Sequence, residues 1–145
     1  MVNESKLNLI KGDEILIKHF IDIAGSSLNT FRYFETRDFD VLDNHKVTIL
    51  GLLNNTPIAY GHLDEEEDKI WLGIAIAEKF KAKGFGSVII TFLIDFAKNN
   101  NINEIYLSVD KVNVMAISMY KKYGFIIYED IDNSIFIMKK TINEK

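Results

Sequence analysis

Three apolar runs follow one another between Lys46 and Ala77: KVTILGLL, PIAYGHLD and KIWLGIAIA. Asn54, Asn55 and Pro57 divide the first two, and the acidic EEED divides the last two. Strand-length apolar runs separated by short turn signals make hairpins, so the middle of the chain is an antiparallel meander. A meander has to bury at least one face, and the flanking sequence must supply whatever covers it.

It supplies helices and further strands. KLNLIK near the N-terminus alternates and predicts a strand. Asp13 can cap a helix carrying Ile17, Phe20, Ile21 and Ala24 at helical spacing and ending near Gly25. A second short helix is expected over Ser26 to Phe34. Gly86 to Asn100 carries Val88, Ile89, Phe92, Leu93 and Phe96 with the period of an amphipathic helix, stopped by Asn99 to Asn101. EIYLSV is a strand, and Asn113 to Lys122 a helix with Ala116, Met119, Tyr120 and Tyr123 on related faces. GFIIYED and SIFIMKK pair around Asp132-Asn133. The expected order is β-α-α-β-β-β-α-β-α-β-β, an α/β fold with a mixed, mostly antiparallel central sheet flanked by helices. At 145 residues, 48% of them hydrophobic, residues 1–145 make one domain.

Composition removes several functions. A net charge of −4 gives no broad basic surface, so no nucleic-acid partner is expected. The absence of cysteine excludes disulfides, thiolate metal sites and cysteine nucleophiles, and no metal site is expected. MVNESKLNLIKGDE is too polar for a secretory signal and no apolar run would span a bilayer, so a cytoplasmic protein without membrane contact is expected. Lysine supplies most of the positive charge; the only arginines are Arg32 and Arg37, in NTFRYFETRDF.

The segment KFKAKGFGS, residues 79–87, joins the last meander strand to a helix. A helix N-terminus carries about half a positive charge and several unpaired N–H donors, so it attracts anions. Gly84 and Gly86 permit close approach of a ligand or a positive φ, and Lys81 and Lys83 add cationic heads. The spacing is neither that of the mononucleotide P-loop nor the three-glycine Rossmann fingerprint. By itself the loop could equally be a plain glycine turn before an ordinary helix.

The run IAIAEKFKAKGFGSVIITFLIDFA resembles the central motif of the GNAT N-acetyltransferase family, a strand followed by Gln/Arg-x-x-Gly-x-Gly/Ala and a helix, here at Lys81, Gly84 and Gly86. NVMAISMYKKYGF is similar to the family's second signature, matched at Asn113, Ala116, Tyr120, Gly124 and Phe125. Two departures are Lys81 in place of Gln or Arg, and Glu78 where proline is frequent. The resemblance covers roughly residues 5 to 140 and implies the acyl-CoA N-acyltransferase fold. It implies acetyl-CoA as cosubstrate, with its pyrophosphate on the amides of Lys81, Ala82, Lys83, Gly84, Phe85, Gly86 and Ser87. The pantetheine would run beside Ile74, Ala75 and Ile76, where this strand splays from EIYLSV, and would bond Asn113. Tyr120 would protonate the departing thiolate, a role that suits a phenol of pKa about 10. The alternative for Tyr120 is a core tyrosine between helix and sheet. The family also implies a homodimer.

The acceptor side is less defined. Transfer to an amine needs a group that removes a proton, and the candidates are His62, Asp64 and Glu65 in AYGHLDEE. His62 and Asp64 share a strand face, and His62 is the first choice. His19 and His45 are read as structural. Arg32 and Arg37 could hold an anionic acceptor, with Tyr33, Phe31 or Trp71 stacking on a ring. FRYFETRDF, GHLDEE and WLGI look like acetyltransferases of surface-polysaccharide synthesis, implying an amino sugar, often nucleotide-linked. The acidic DEEED at 64–68 would attract a cationic amine such as a polyamine or lysine tail, but it reads first as a solvated hairpin tip. The alternatives to a small-molecule N-acetyltransferase are a protein, peptide or polyamine acetyltransferase and a non-catalytic acyl-CoA-binding domain.

Overall fold

The computed structural model describes residues 6–35 and 37–142. In chain order the elements are β1 (Asn8–Lys11), α1 (Glu14–Ala24), β2 (His45–Leu53), β3 (Thr56–Glu66), β4 (Lys69–Ile76), α2 (Phe85–Asn99), β5 (Glu104–Asp110), α3 (Val114–Lys122), β6 (Ile126–Ile131) and β7 (Ile135–Thr141). The strands form one sheet in the order β1-β2-β3-β4-β5-β7-β6. Every pairing is antiparallel except β4–β5. The expected meander is β2-β3-β4, and the final hairpin turns at Asp132, whose carboxylate accepts from Ser134 N at 2.9 Å.

Asp13 caps α1 as expected, accepting from Leu16 N at 2.9 Å, and Ile17, Phe20 and Ala24 are buried. The second helix does not form as one element. Gly25, at φ 66°, ends α1, and the chain then makes three short 3-10 turns, Gly25–Asn29, Tyr33–Glu35 and Phe39–Asn44. Ser27 and Thr30 explain part of this, because their side chains bond the backbone and compete with helix propagation: the Ser27 hydroxyl donates to Ile76 O and the Thr30 hydroxyl to Ser27 O. The turned path also lays Phe31 and Phe34 against Tyr60, ring centroids 5.3 and 5.8 Å apart.

Each face of the sheet has its own core. On one, α1 packs with Leu50, Ile58, Tyr60 and Ala75; on the other, α2 and α3 pack with Ala59, Leu63, Leu72 and Leu107. Helix α2 buries Ile89, Ile90, Leu93, Ile94 and Ala97, leaving Val88 39% exposed, so its inner face is turned from the expected stripe toward Ile90 and Ile94. Asn100 then stops the helix, donating to Phe96 O at 2.8 Å.

Candidate active site

Strands β4 and β5 pair at a single position, Trp71 with Tyr106, near their N-terminal ends. Beyond it they separate, and the gap opens into a cavity of about 470 Å³. Ala77 N donates to Ile58 O, so the odd-numbered residues of β4 direct their backbone groups to β3. By the alternation of an antiparallel ladder, Ile74 and Ile76 turn theirs into the gap, while Ala75 is engaged with β3. The Ile76 carbonyl already accepts from Ser27, leaving its N–H and both groups of Ile74 for a ligand.

The glycine loop stands at the adjacent helix start. Asp13 and Asn113 cap α1 and α3 with side chains, but Gly84, at φ 90°, caps α2 with none. Among the described residues the first amides of α2 therefore have no side-chain partner, and a Cβ at Gly84 would meet nothing within 4 Å. Lys81, Ala82 and Lys83 are exposed beside it. The next three positions pack inward apart from their backbone: Phe85 is buried, Gly86 lies against Met119, and the Ser87 side chain bonds the Tyr123 hydroxyl. The backbone of this turn is what remains for an anion.

Asn113 and Tyr120 line the cavity from α3. Asn113 Oδ1 accepts from Ala116 N at 3.3 Å, and its amide NH₂ has no partner among the described residues. Tyr120 is 7% exposed, and its hydroxyl has no hydrogen-bond partner among the described residues. Burial raises its pKa above that of an ordinary phenol and keeps it protonated.

Opposite, Tyr60, His62 and Asp64 occupy alternate positions of β3 and so share one face. His62 Nδ1 is 2.6 Å from the Tyr60 hydroxyl. That phenol has no other partner among the described residues, so the satisfied arrangement has Tyr60 donating to Nδ1 and His62 carrying its proton on Nε2. Burial first, then His45 and Arg37, hold His62 well below the usual histidine pKa. Its ring covers Gly73, where a Cβ would lie 2.5 Å from Nε2. Asp64 Oδ2 accepts from the Tyr33 hydroxyl at 2.7 Å, and no described residue bonds its Oδ1. Burial raises the Asp64 pKa, against the opposing pull of Tyr33 and Arg37.

Both arginines reach the cavity already paired. Arg32 holds Asp110 at 3.1 and 3.0 Å through two nitrogens and also donates to Asn29 O. Arg37 donates to Tyr33 O at 3.1 Å, lies 4.3 Å over the Tyr33 ring and is 3.7 Å from Glu66. The carboxylates of Asp64, Glu66 and Asp110 thus outnumber the two guanidiniums by one. The rings expected to stack on a ligand line the cavity, half-buried, and each already contacts a neighbour: Tyr33 meets Arg37 and His62, Phe31 meets Tyr60, and Trp71 lies 5.6 Å from Tyr106. His19 is exposed on α1, away from this region. Sequence reasoning did not assign Tyr60, Thr48, Glu66 or Asp110 to the site and set His45 aside. Tyr60 was detectable from its alternation with His62 and Asp64; Asp110 lies 78 residues from Arg32 with no local signal.

The fold, an opened parallel pair beside an uncapped helix start, agrees with the sequence match. Residues 14–125, more than half of the chain, match the Acetyltransferase (GNAT) family, and the chain belongs to it. It is similar to three proteins of Bacillus subtilis (strain 168). The uncharacterized N-acetyltransferase YobR is 34% identical over 60% of this chain and 32% of its own length. Streptothricin acetyltransferase A is 28% identical over 79% and 68%. Spermine/spermidine N(1)-acetyltransferase is 31% identical over 48% and 47%. The chain thus spans about a third, two thirds and half of these relatives. The fold is shared with the PaiA N-acetyltransferase of Thermoplasma acidophilum, solved with coenzyme A, at TM-score 0.74 and 19% identity over 94% of this chain and 99% of that one. YncA from Salmonella typhimurium, solved with its cofactor acetyl-CoA, gives 0.78 at 13% identity over 97% and 96%. Among the described residues no helix is long and apolar enough to cross a membrane.

Proposed function

We propose that the chain transfers an acetyl group from acetyl-CoA to the primary amine of a small, positively charged acceptor. The observation that carries the acceptor class is the cavity's excess of carboxylates, with both arginines neutralised by ion pairs. A diphosphate-linked amino sugar would have to break the Arg32–Asp110 and Arg37–Glu66 pairs before finding a cation. A free amino sugar or a polyamine needs no such step. Two relatives named for streptothricin and for spermine and spermidine support an amine acceptor.

Family membership and the free donors support the donor side. The α2 turn would take the pyrophosphate through the amides near Gly84, and Ile74, the Ile76 N–H and the Asn113 amide would bond the pantetheine. Bound there, acetyl-CoA supplies an activated thioester. The acceptor nitrogen forms the new C–N bond as the C–S bond breaks. One N–H proton goes to Asp64, whose Oδ1 has no partner among the described residues. Tyr120 gives its proton to the leaving sulfur and is reprotonated from solvent. The hydrogen-bond inventory favours Asp64 over His62 for the first task, because the Nε2–H of His62 is a donor. A cytoplasmic location follows from the need for acetyl-CoA.

The test is thiol release over an amine panel of polyamines, free amino sugars, nucleotide-linked amino sugars and peptides. Turnover with the polyamines or free amino sugars is expected. Turnover confined to nucleotide-linked sugars would reject the cationic acceptor, and no binding of CoA at millimolar concentration by calorimetry would reject the donor.

A further inference from the structure

The hydrogen bonds of Asp64 continue away from the cavity. The Tyr33 hydroxyl is 2.7 Å from Asp64 Oδ2 and 2.8 Å from His45 Nε2. His45 Nδ1 is 2.7 Å from the Thr48 hydroxyl. His45 and Asp64 are register partners on β2 and β3, so the two strands hold both partners of the Tyr33 hydroxyl side by side. We propose that Asp64, Tyr33, His45 and Thr48 act as one reversible hydrogen-bond chain, in which the tautomer of His45 follows the protonation of Asp64.

The argument is a proton inventory. An ionised carboxylate only accepts. With Asp64 ionised, Tyr33 spends its single proton on Oδ2 and must accept from His45 Nε2–H. His45 Nδ1 is then bare and accepts from Thr48. With Asp64 protonated on Oδ2, every bond reverses. Tyr33 accepts from Asp64 and donates to His45 Nε2, and His45 donates through Nδ1–H to the Thr48 oxygen. Going from the first state to the second adds one proton in total. Each hydrogen moves one place toward the carboxylate, and the proton that enters replaces the one Thr48 gives up; Thr48 as a residue is 9% exposed. His45 carries one proton in both states, and no bond of the chain is lost in either. Burial and Arg37 hold its pKa down at about 4, in keeping with a ring that stays neutral.

Other charged groups bear on the carboxylate without joining the chain. Arg37 over Tyr33 favours the ionised form, and Glu66 follows two residues along β3, paired with Arg37 at 3.7 Å. His62 stands between Tyr60 and Tyr33 with its Nδ1 occupied, and the Arg32–Asp110 pair closes the far wall. Asp64 is the catalytic residue of this set; Tyr33, His45 and Thr48 are positioning residues that let it hold a proton without leaving a buried donor unmet. This role rests on the proposed acetyl transfer, but the coupling itself can be measured without turnover.

The experiment is ¹⁵N NMR of the imidazoles, with the His45 signals assigned by their loss in His45→Gln. At neutral pH the wild-type protein should show His45 as the Nε2–H tautomer. Asp64→Ala, which leaves the Tyr33 proton no acceptor but Nε2, should show Nδ1–H. The same tautomer in both proteins, or a doubly protonated ring at neutral pH, overturns the proposal. Kinetics provide a second readout should Asp64→Ala fail to fold. Tyr33→Phe removes a charge-assisted bond from the ionised form and only a weaker neutral one from the protonated form, so it should move the acid limb of kcat/KM up by about one pH unit. His45→Phe strands the Tyr33 proton in the protonated form and should move it down by a similar amount. Limbs that stay in place, or move together, overturn it.

Discussion

Trp71 on β4 and Tyr106 on β5 are the one register pair between the two parallel strands, their rings 5.6 Å apart. Everything in the site depends on where this hinge of the wedge sits. One more pair along, near Gly73 and Ser108, would close the gap and satisfy the backbone of Ile74. Trp71→Ala should therefore loosen the wedge. We expect a loss of about 1–2 kcal/mol in chemical denaturation, below that of a fully buried tryptophan because Trp71 is half-buried. The Michaelis constant of acetyl-CoA should rise with it.

Tyr120→Phe separates an enzyme from a domain that only binds acyl-CoA. The phenol is buried and its hydroxyl meets no described partner, so removing the oxygen should cost little stability. CoA affinity by calorimetry should change less than about twofold, while kcat falls by about 10²–10⁴, the usual range for a general acid. Unchanged turnover would remove Tyr120 from the chemistry.

Much of the fold was legible in the chain because its signals are local. The Asp13 cap, the glycine turn before α2 and the hairpin at Asp132 each depend on neighbours within a few residues, whereas the cap that Asn113 gives α3 was not anticipated. Long-range register was not legible. His45 faces Asp64 only because β2 and β3 pair with an irregularity between His45 and Val47, which no composition encodes. The inner face of α2 was misplaced for a related reason: Val88 and Phe92 form an apolar stripe beside Ile90 and Ile94, and only the docked sheet selects between them. The expected helix over 26–34 failed where serine and threonine side chains took backbone partners of their own.

Two glycines should respond differently to alanine. At Gly73 the new methyl would collide with His62, whose ring is held by Tyr60, so the bond must break or β4 must shift. Gly73→Ala should cost about 1–3 kcal/mol by urea denaturation. Gly84→Ala meets open space and pays only for φ 90°, about 1 kcal/mol, with the larger effect on CoA affinity. Equal stability losses would refute the contrast.

Arg32→Ala removes a cation and leaves Asp110 unpaired at the cavity wall. For a cationic amine the Michaelis constant should then fall about two- to fivefold at low salt, and the gain should fade as salt is added. If Arg32 instead grips an anionic group of the acceptor, the constant would rise. The sign of the change decides between the two acceptor classes in one steady-state experiment.

The histidines set the stability profile below neutrality. His45 has a pKa of about 4 in the folded chain against 6.5 unfolded, with burial as the main cause. The unfolded chain therefore binds more protons between pH 6.5 and 4, and stability falls as pH falls through that window. The shift corresponds to about 3 kcal/mol unscreened and on the order of 2 with solvent screening. His62 is shifted the same way and steepens the loss. Asp64, raised by burial, acts in the opposite sense and offsets part of it. Urea unfolding at pH 7 and pH 5 should show the drop, and His45→Phe should flatten it. An equal drop in the variant would mean that His45 is not the group being charged on unfolding.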